Sequence, residues 1–198
     1  MFCDSLNDSE ESHPNVNICP VCAGHPGTLP TINKKAIEHV LRVGYALGSE
    51  ILEVSKFDRK NYFYPDLPKG YQISQFDKPF CLGGNLTIGD RNIRIRRVHL
   101  EEDAGKLVHS EGKDFSYVDL NRAGTPLMEL VSEPDIRNSD EAKNFCEELQ
   151  MIFRYLGISS ADMEKGEMRC EANISLAGEA GRFGTKVEVK NLNSFKAV

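Results

Sequence analysis

Met168-Arg169-Cys170-Glu171-Ala172-Asn173-Ile174-Ser175-Leu176 alternates apolar and polar residues, and so does Lys186-Val187-Glu188-Val189-Lys190 after a Gly- and Ala-rich loop over 177–184. A period of two is that of a half-buried strand, and the short loop predicts an antiparallel pair. Met168, Cys170, Ala172, Ile174 and Leu176 then share one face, while Arg169, Glu171, Asn173 and Ser175 share the other. On the polar face the natural register sets Arg169 against Lys190, Glu171 against Glu188 and Asn173 against Lys186, or displaces each by one diagonal step. Like charges opposite one another destabilise a sheet. Such a face calls for a metal between the carboxylates, an anion between the cations, or open solvent. The structural alternative is an exposed face laced with ordinary ion pairs.

The same period recurs upstream. Leu86-Thr87-Ile88 and Ile93-Arg94-Ile95 flank Gly89-Asp90-Arg91-Asn92 as a second hairpin, and 126–131 reads as a further short strand. Two stretches switch to the helical period. Ile37, Val40, Leu41, Gly44 and Leu47 predict one helix, with Thr31 or Asn33 as its cap and Gly48 beyond its end. Ala142, Phe145, Cys146, Leu149, Ile152, Phe153 and Leu156 predict another, with Asn138 and Glu141 at capping-box spacing and Gly157 to terminate it. Cys146 lies on that apolar stripe and so in the core. The class is α+β, a mainly antiparallel sheet with helices packed on one face. Residues 1–30, with Pro14, Pro20, Pro26 and Pro30, form an irregular opening segment, and 31–198 the domain proper.

The chain has 198 residues, 40% hydrophobic and 27% charged, with 30 acids against 24 Lys and Arg for a net charge of −6. A chain of this length buries roughly 70% of its unfolded surface and needs no disulfide or metal to fold. No stretch approaches the ~20 consecutive apolar residues of a membrane span, and the opening residues carry no export signal. That predicts a cytoplasmic protein with no membrane contact, whose six cysteines are reduced thiols. Net acidity excludes a bulk polyanion coater but leaves room for local basic strips. The Gly-rich phosphate loops of common nucleotide folds are absent, so a nucleotide would need a carboxylate-held metal and scattered cations.

Three further patterns carry chemistry. Cys19-Pro-Val-Cys22 is a C-x-x-C turn able to present two thiolates to Zn²⁺, with Cys3 as a third. A closed site wants four ligands, and Asp4, Ser5 and His13 are the nearby substitutes; the alternative is an unmetallated turn. Glu101-Glu102-Asp103 follows an Arg-rich strand and precedes Gly105 and Lys106; adjacent acids are usually a solvated loop, yet Mg²⁺ is held by one or two carboxylates plus substrate phosphates. Glu129 stands in the otherwise apolar Leu127-Met128-Glu129-Leu130-Val131, either on a wet strand face or as a desolvated ligand or acid. Residues 57–75 interleave Phe57, Tyr62, Phe63, Tyr64 and Tyr71 with Arg59, Lys60 and Lys69, which suits unpaired RNA bases and their phosphates or, equally, the aromatic anchors of a surface loop.

Residues 56–75, 99–106, 118–135, 169–175 and 183–195 together resemble the B subunit of the bacterial and organellar Asp/Glu-tRNA amidotransferase, the GatB/GatE family. The resemblance implies a cradle related to glutamine synthetase and the guanido kinases, followed by a helical tRNA-binding tail. It implies that ATP and Mg²⁺ phosphorylate the side-chain carboxylate of Glu-tRNA(Gln) or Asp-tRNA(Asn). Ammonia from glutamine, released by an amidase (A) subunit, then displaces the phosphate, while a small C subunit braces the other two. Carried over, Glu102 and Glu129 are the catalytic acids, and Glu101, Glu102, Glu129, Glu171 and Glu188 surround Mg²⁺. Lys106, Arg122, Arg169 and Lys190 take the nucleotide phosphates or the acyl-phosphate, and Cys3, Cys19 and Cys22 are zinc ligands. Three departures stand out. The chain opens past the family's Gly-Leu-Glu-x-His strand and ends before the tail, which implies an incomplete cradle, inactive in isolation. Ser5 stands where zinc-binding members have the second Cys of a Cys-x-Cys, and Glu171 where Asp is common. The competing classes are a non-catalytic RNA-binding module and an inert truncated relic.

Overall fold

The computed structural model describes every residue except Glu111, Lys113, Glu179, Ala180 and Gly181, so part of the loop expected over 177–184 lies outside the described residues. Among the described residues the chain forms α1 (Lys34–Ala46) and α2 (Ser139–Tyr155) with eleven strands. These are β1 (Glu50–Ile51), β2 (Asp58–Asn61), β3 (Tyr71–Ser74), β4 (Cys81–Leu82), β5 (Asn85–Ile88), β6 (Arg91–Glu102), β7 (Lys106–His109), β8 (Ser116–Asp119), β9 (Pro126–Ser132), β10 (Cys170–Ile174) and β11 (Val187–Leu192). The α+β class holds, and the pairs β1–β4, β4–β6, β6–β9, β2–β3, β7–β8 and β10–β11 are antiparallel.

One expectation is corrected. Instead of a single sheet, a five-stranded sheet ordered β1-β4-β6-β5, with β9 also paired to β6, stands beside three two-stranded hairpins. Alternation specifies that a strand has a wet and a dry face; it does not say which sheet a hairpin joins. The helices also divide, because the chain forms two compact units, 1–86 with 93–133 and 87–92 with 134–198.

In the first unit, Asn33 caps α1 by accepting from the amides of Lys35 and Ala36 at 2.9 and 3.4 Å. Val40 and Val43 face inward, and α1 packs on β1 and β4 so closely that a β-carbon on Gly44 would lie 2.4 Å from Cys81 Sγ. Strand β6 is the spine of this unit. Its first half alternates buried Ile93 and Ile95 with exposed residues, whereas everything from Val98 to Glu102 is buried, so this end is enclosed on both faces. The segment before α1 forms no helix or strand, and Met1 and Phe2 are buried.

In the second unit, α2 begins as a capping box: Asn138 Oδ1 accepts from the Glu141 amide at 2.9 Å, and the Glu141 carboxylate accepts from Asn138 Nδ2 at 3.2 Å and from the Arg137 amide at 2.9 Å. Phe145, Cys146, Leu149 and Phe153 form the buried stripe, and Gly157 takes φ 64° to end the helix. All six cysteines are free thiols, although Cys146 Sγ lies 3.2 Å from Cys170 Sγ.

Candidate functional site

The acids at the end of β6 are not a solvated loop: Glu101, Glu102 and Asp103 are all buried. Because successive strand residues project to opposite faces, they enter different environments. Register places His99 opposite Glu129 on β9, and Glu101 falls on the same face. There the Nε2 of His99 lies 3.3 Å from Glu101 Oε1 and 3.7 Å from Glu129 Oε2, so the three side chains offer ligand atoms within 4.8 Å of one another. Arg97 Nε donates to His99 Nδ1 at 3.4 Å, and Ser74 Oγ donates to Glu101. Burial raises the Glu101 carboxyl, but the hydrogen bonds from His99 and Ser74 outweigh it and hold the group below the ordinary carboxylate range. Glu129 shifts the other way, pushed up by burial and by the charge of Glu101. Two carboxylates and an imidazole that close can share a divalent cation or a proton.

Glu102 points to the opposite face and is fully buried. Its carboxylate accepts from the Ile73 amide at 2.8 Å and pairs with Lys69, leaving Oε2 without a hydrogen-bond partner. The structure therefore groups Glu101 with Glu129 and separates Glu102 from both; one residue of register does this. Strand β3 and the residue after it brace this end of β6: Gln72 Nε2 donates to the Glu102 carbonyl at 2.8 Å, and Gln75 Oε1 accepts from the Leu100 amide at 3.1 Å. Part of the stretch 57–75 is thus structural, with Leu67, Ile73 and Gln75 buried, while Tyr62, Phe63 and Tyr64 remain exposed.

Among the expected phosphate-binding cations in this unit, Lys106 is exposed and sits opposite Asp119 in the β7–β8 register, and Arg122 donates to Asp103 Oδ2 at 2.7 Å. In the second unit the β10–β11 register is the diagonal alternative. Asn173 faces Glu188 and Ala172 faces Val189, with a shift between Cys170 and Ala172. Lys190 Nζ consequently lies 3.8 Å from Glu171 Oε2 and 3.4 Å from Glu188 Oε2. The like-charge confrontation that would demand an outside counter-ion does not arise, because Lys190 supplies the charge itself. Arg169 is exposed at the edge of this hairpin.

The three cysteines of the opening segment do converge. Cys3 Sγ lies 3.4 Å and Cys19 Sγ 3.7 Å from Cys22 Sγ, with Ser5 Oγ 3.6 Å from the same sulfur. Burial works to raise the Cys19 thiol, but hydrogen bonds from the Cys22 amide, Ser5, the Val21 amide and Cys3 bring it down to about 7. No helix among the described residues is long and apolar enough to cross a membrane.

Residues 1–198 match a family model described as the GatB/GatE catalytic domain. The chain belongs to the GatB/GatE family. A relative from Persephonella marina, the B subunit of an aspartyl/glutamyl-tRNA(Asn/Gln) amidotransferase, is 58% identical over 193 residues that cover 94% of this chain and 40% of that protein. The B subunit of the Sorghum bicolor chloroplastic/mitochondrial glutamyl-tRNA(Gln) amidotransferase is 54% identical across 100% of this chain and 37% of its own length. The aspartyl/glutamyl-tRNA(Asn/Gln) amidotransferase B subunit of Thermus thermophilus is 53% identical across 100% of this chain and 42% of its own length. The chain thus spans about two fifths of the curated relatives it matches. Within this GatB/GatE chain, His99 is the site residue that sequence reasoning missed. The signal was present: counting back two residues from Glu101 along a strand reaches His99, whereas reading Glu101, Glu102 and Asp103 as one run of adjacent acids passes over it.

Proposed function

We propose that this GatB/GatE chain carries the phosphoryl-transfer site of a tRNA-dependent amidotransferase. On this reading 31–198 form a cradle of the glutamine synthetase and guanido kinase kind. Its substrate is the side-chain carboxylate of Glu-tRNA(Gln) or Asp-tRNA(Asn), activated with ATP and amidated with ammonia derived from glutamine. An amidase subunit and a small C subunit are its partners, in the cytoplasm or an organelle. The observation that supports it is the His99–Glu101–Glu129 cluster, whose donors fit a divalent cation. Glu101 and Glu129 would hold Mg²⁺, which supplies charge neutralisation for the transferred phosphoryl group. His99 keeps the two acids together and orients them, and Ser74 fixes the Glu101 rotamer. Lys106 and Arg122 serve the phosphates, with Asp103 orienting Arg122. In the second unit, the family resemblance alone makes Glu171 and Glu188 candidates for a metal and Arg169 and Lys190 candidates for phosphate contacts, with Lys190 paired to both acids until a ligand displaces it. Glu102 acts through position, as the anchor between β6 and β3. Cys3, Cys19 and Cys22, with sulfurs 3.4 and 3.7 Å apart, would hold a structural Zn²⁺, which would supply a cross-link for the opening segment.

Equilibrium binding of ATP to the chain, with Mg²⁺ and with EDTA, tests the phosphoryl-transfer reading. Glu101→Gln and Glu129→Gln should each weaken Mg²⁺-dependent binding roughly tenfold or more, with circular dichroism showing that the fold is retained. Binding indifferent to Mg²⁺ and to both substitutions would remove the proposed site.

A further inference from the structure

A tetrahedral zinc with Zn–S near 2.3 Å puts its sulfurs about 3.8 Å apart, and an oxygen ligand near 2.0 Å from the metal then lies about 3.5 Å from each sulfur. The Cys3–Cys22 and Cys19–Cys22 sulfur separations of 3.4 and 3.7 Å fit the first figure, and the 3.6 Å from Ser5 Oγ to Cys22 Sγ fits the second. The hydroxyl, which accepts from the Cys22 thiol, thus lies at the separation from Cys22 Sγ that a fourth ligand on the same ion would have. The frame holding these four groups is built without any ion. Backbone bonds from Ala23 N to Cys19 O at 3.0 Å, Gly24 N to Val21 O at 3.1 Å and His25 N to Pro20 O at 2.9 Å fold the turn that carries Cys19 and Cys22. Gly24 closes it at φ +64°, against the backbone of Lys69, where a β-carbon would come within 2.7 Å of Lys69 N. Cys3 and Ser5 arrive on a strand of chain pinned by the buried Met1 and Phe2, whose carbonyl accepts from Thr31 Oγ1 at 3.3 Å.

The geometry points to Ser5 Oγ as the fourth ligand of a zinc centre at Cys3, Cys19 and Cys22, which makes the centre three-thiolate with an exchangeable oxygen vertex. This rests on the zinc reading above and goes beyond it in naming the fourth donor and its consequence. A neutral hydroxyl leaves the centre one negative charge short of a four-thiolate site and is the weaker donor. The oxygen vertex is therefore where the metal opens to water or to an incoming thiol, and where a chelator gains its first hold.

Cobalt(II) is the probe, read by its thiolate charge-transfer absorbance, with Zn²⁺ affinity measured by competition. In wild-type chain one Co²⁺ should bind with a three-thiolate signature. Ser5→Cys should raise the charge-transfer absorbance by about one third and slow chelator removal of zinc roughly tenfold or more, while Ser5→Ala should weaken zinc roughly tenfold with the thiolate count unchanged. If Ser5→Ala binds as tightly as wild type, or Ser5→Cys adds no thiolate band, the hydroxyl is not a ligand although the zinc reading stands. No metal uptake by wild type overturns both.

Discussion

Neighbouring positions on β6 show how one residue of register assigns chemistry. Glu101 shares a face with His99 and Glu129, whereas Glu102 is driven into the interior against Lys69, whose ammonium also lies 5.3 Å from the Tyr71 ring. A buried pair is costly to break because the surviving charge is left without a partner. Lys69→Met should therefore lower the unfolding free energy by about 3 kcal/mol in urea titration, and adding Glu102→Gln, which removes the stranded charge but still accepts from the Ile73 amide, should recover most of that loss. A double variant as unstable as the single would show that packing, not charge, holds this junction. Thiols divide in the same way. Cys19 ionises near pH 7 while burial pushes Cys81 up to about 11. The thiolate is the nucleophile, so iodoacetamide at neutral pH should alkylate Cys19 in the metal-free chain well before Cys81, with a rate that falls as pH drops below about 7. Equal labelling of the two in the native chain would refute this.

Elements were legible wherever their signals are local. Asn33, the Asn138–Glu141 box and the glycines at 48 and 157, both at positive φ, mark the helix ends in the sequence and in the structure alike. The tight turn between β5 and β6, with Gly89 at φ 57°, is equally local. What alternation could not supply was partnership: it located β10 and β11 but not the irregularity between Cys170 and Ala172 that settles which charges meet. It likewise underrated the acids of β6, because burial on both faces comes from strands remote in sequence. Helix packing yields a sharper test. Ala is the better helix former than Gly by roughly 1 kcal/mol, yet at position 44 the added methyl would overlap Cys81 Sγ and press on Ile51. Overpacking outweighs propensity here, so Gly44→Ala should destabilise by about 1–3 kcal/mol, measured by thermal or chemical unfolding, and pairing it with Cys81→Ala should relieve part of the cost. A stabilised Gly44→Ala would mean that α1 does not sit so close to β4.

At the scale of the whole chain, the long matched stretches established the family, while composition excluded classes without selecting one. The net charge of −6 nevertheless constrains how a nucleic acid can be met. Phosphate contacts dominate affinity for a duplex, and an acidic molecule forgoes most of that attraction, so any nucleic-acid recognition by this chain would have to come from a small region where bases can stack. The exposed Tyr62, Phe63 and Tyr64 form such a region, with Tyr62 and Tyr64 ring centroids 5.7 Å apart and Phe63 86% exposed. Arg59, on the strand that leads into this segment, is held over Tyr71 at 4.6 Å. Mixed-sequence duplex RNA at physiological salt should consequently bind with a dissociation constant no tighter than ~10⁻⁴ M. An unpaired oligonucleotide should bind more tightly, and Phe63→Ala should weaken it by about 1–3 kcal/mol, or roughly 5- to 150-fold, while leaving the duplex value unchanged. Fluorescence anisotropy with labelled single- and double-stranded RNA over a salt series distinguishes the two. A duplex preference that survives Phe63→Ala would place the contact on a basic surface elsewhere and leave these aromatics as anchors of the β2–β3 loop.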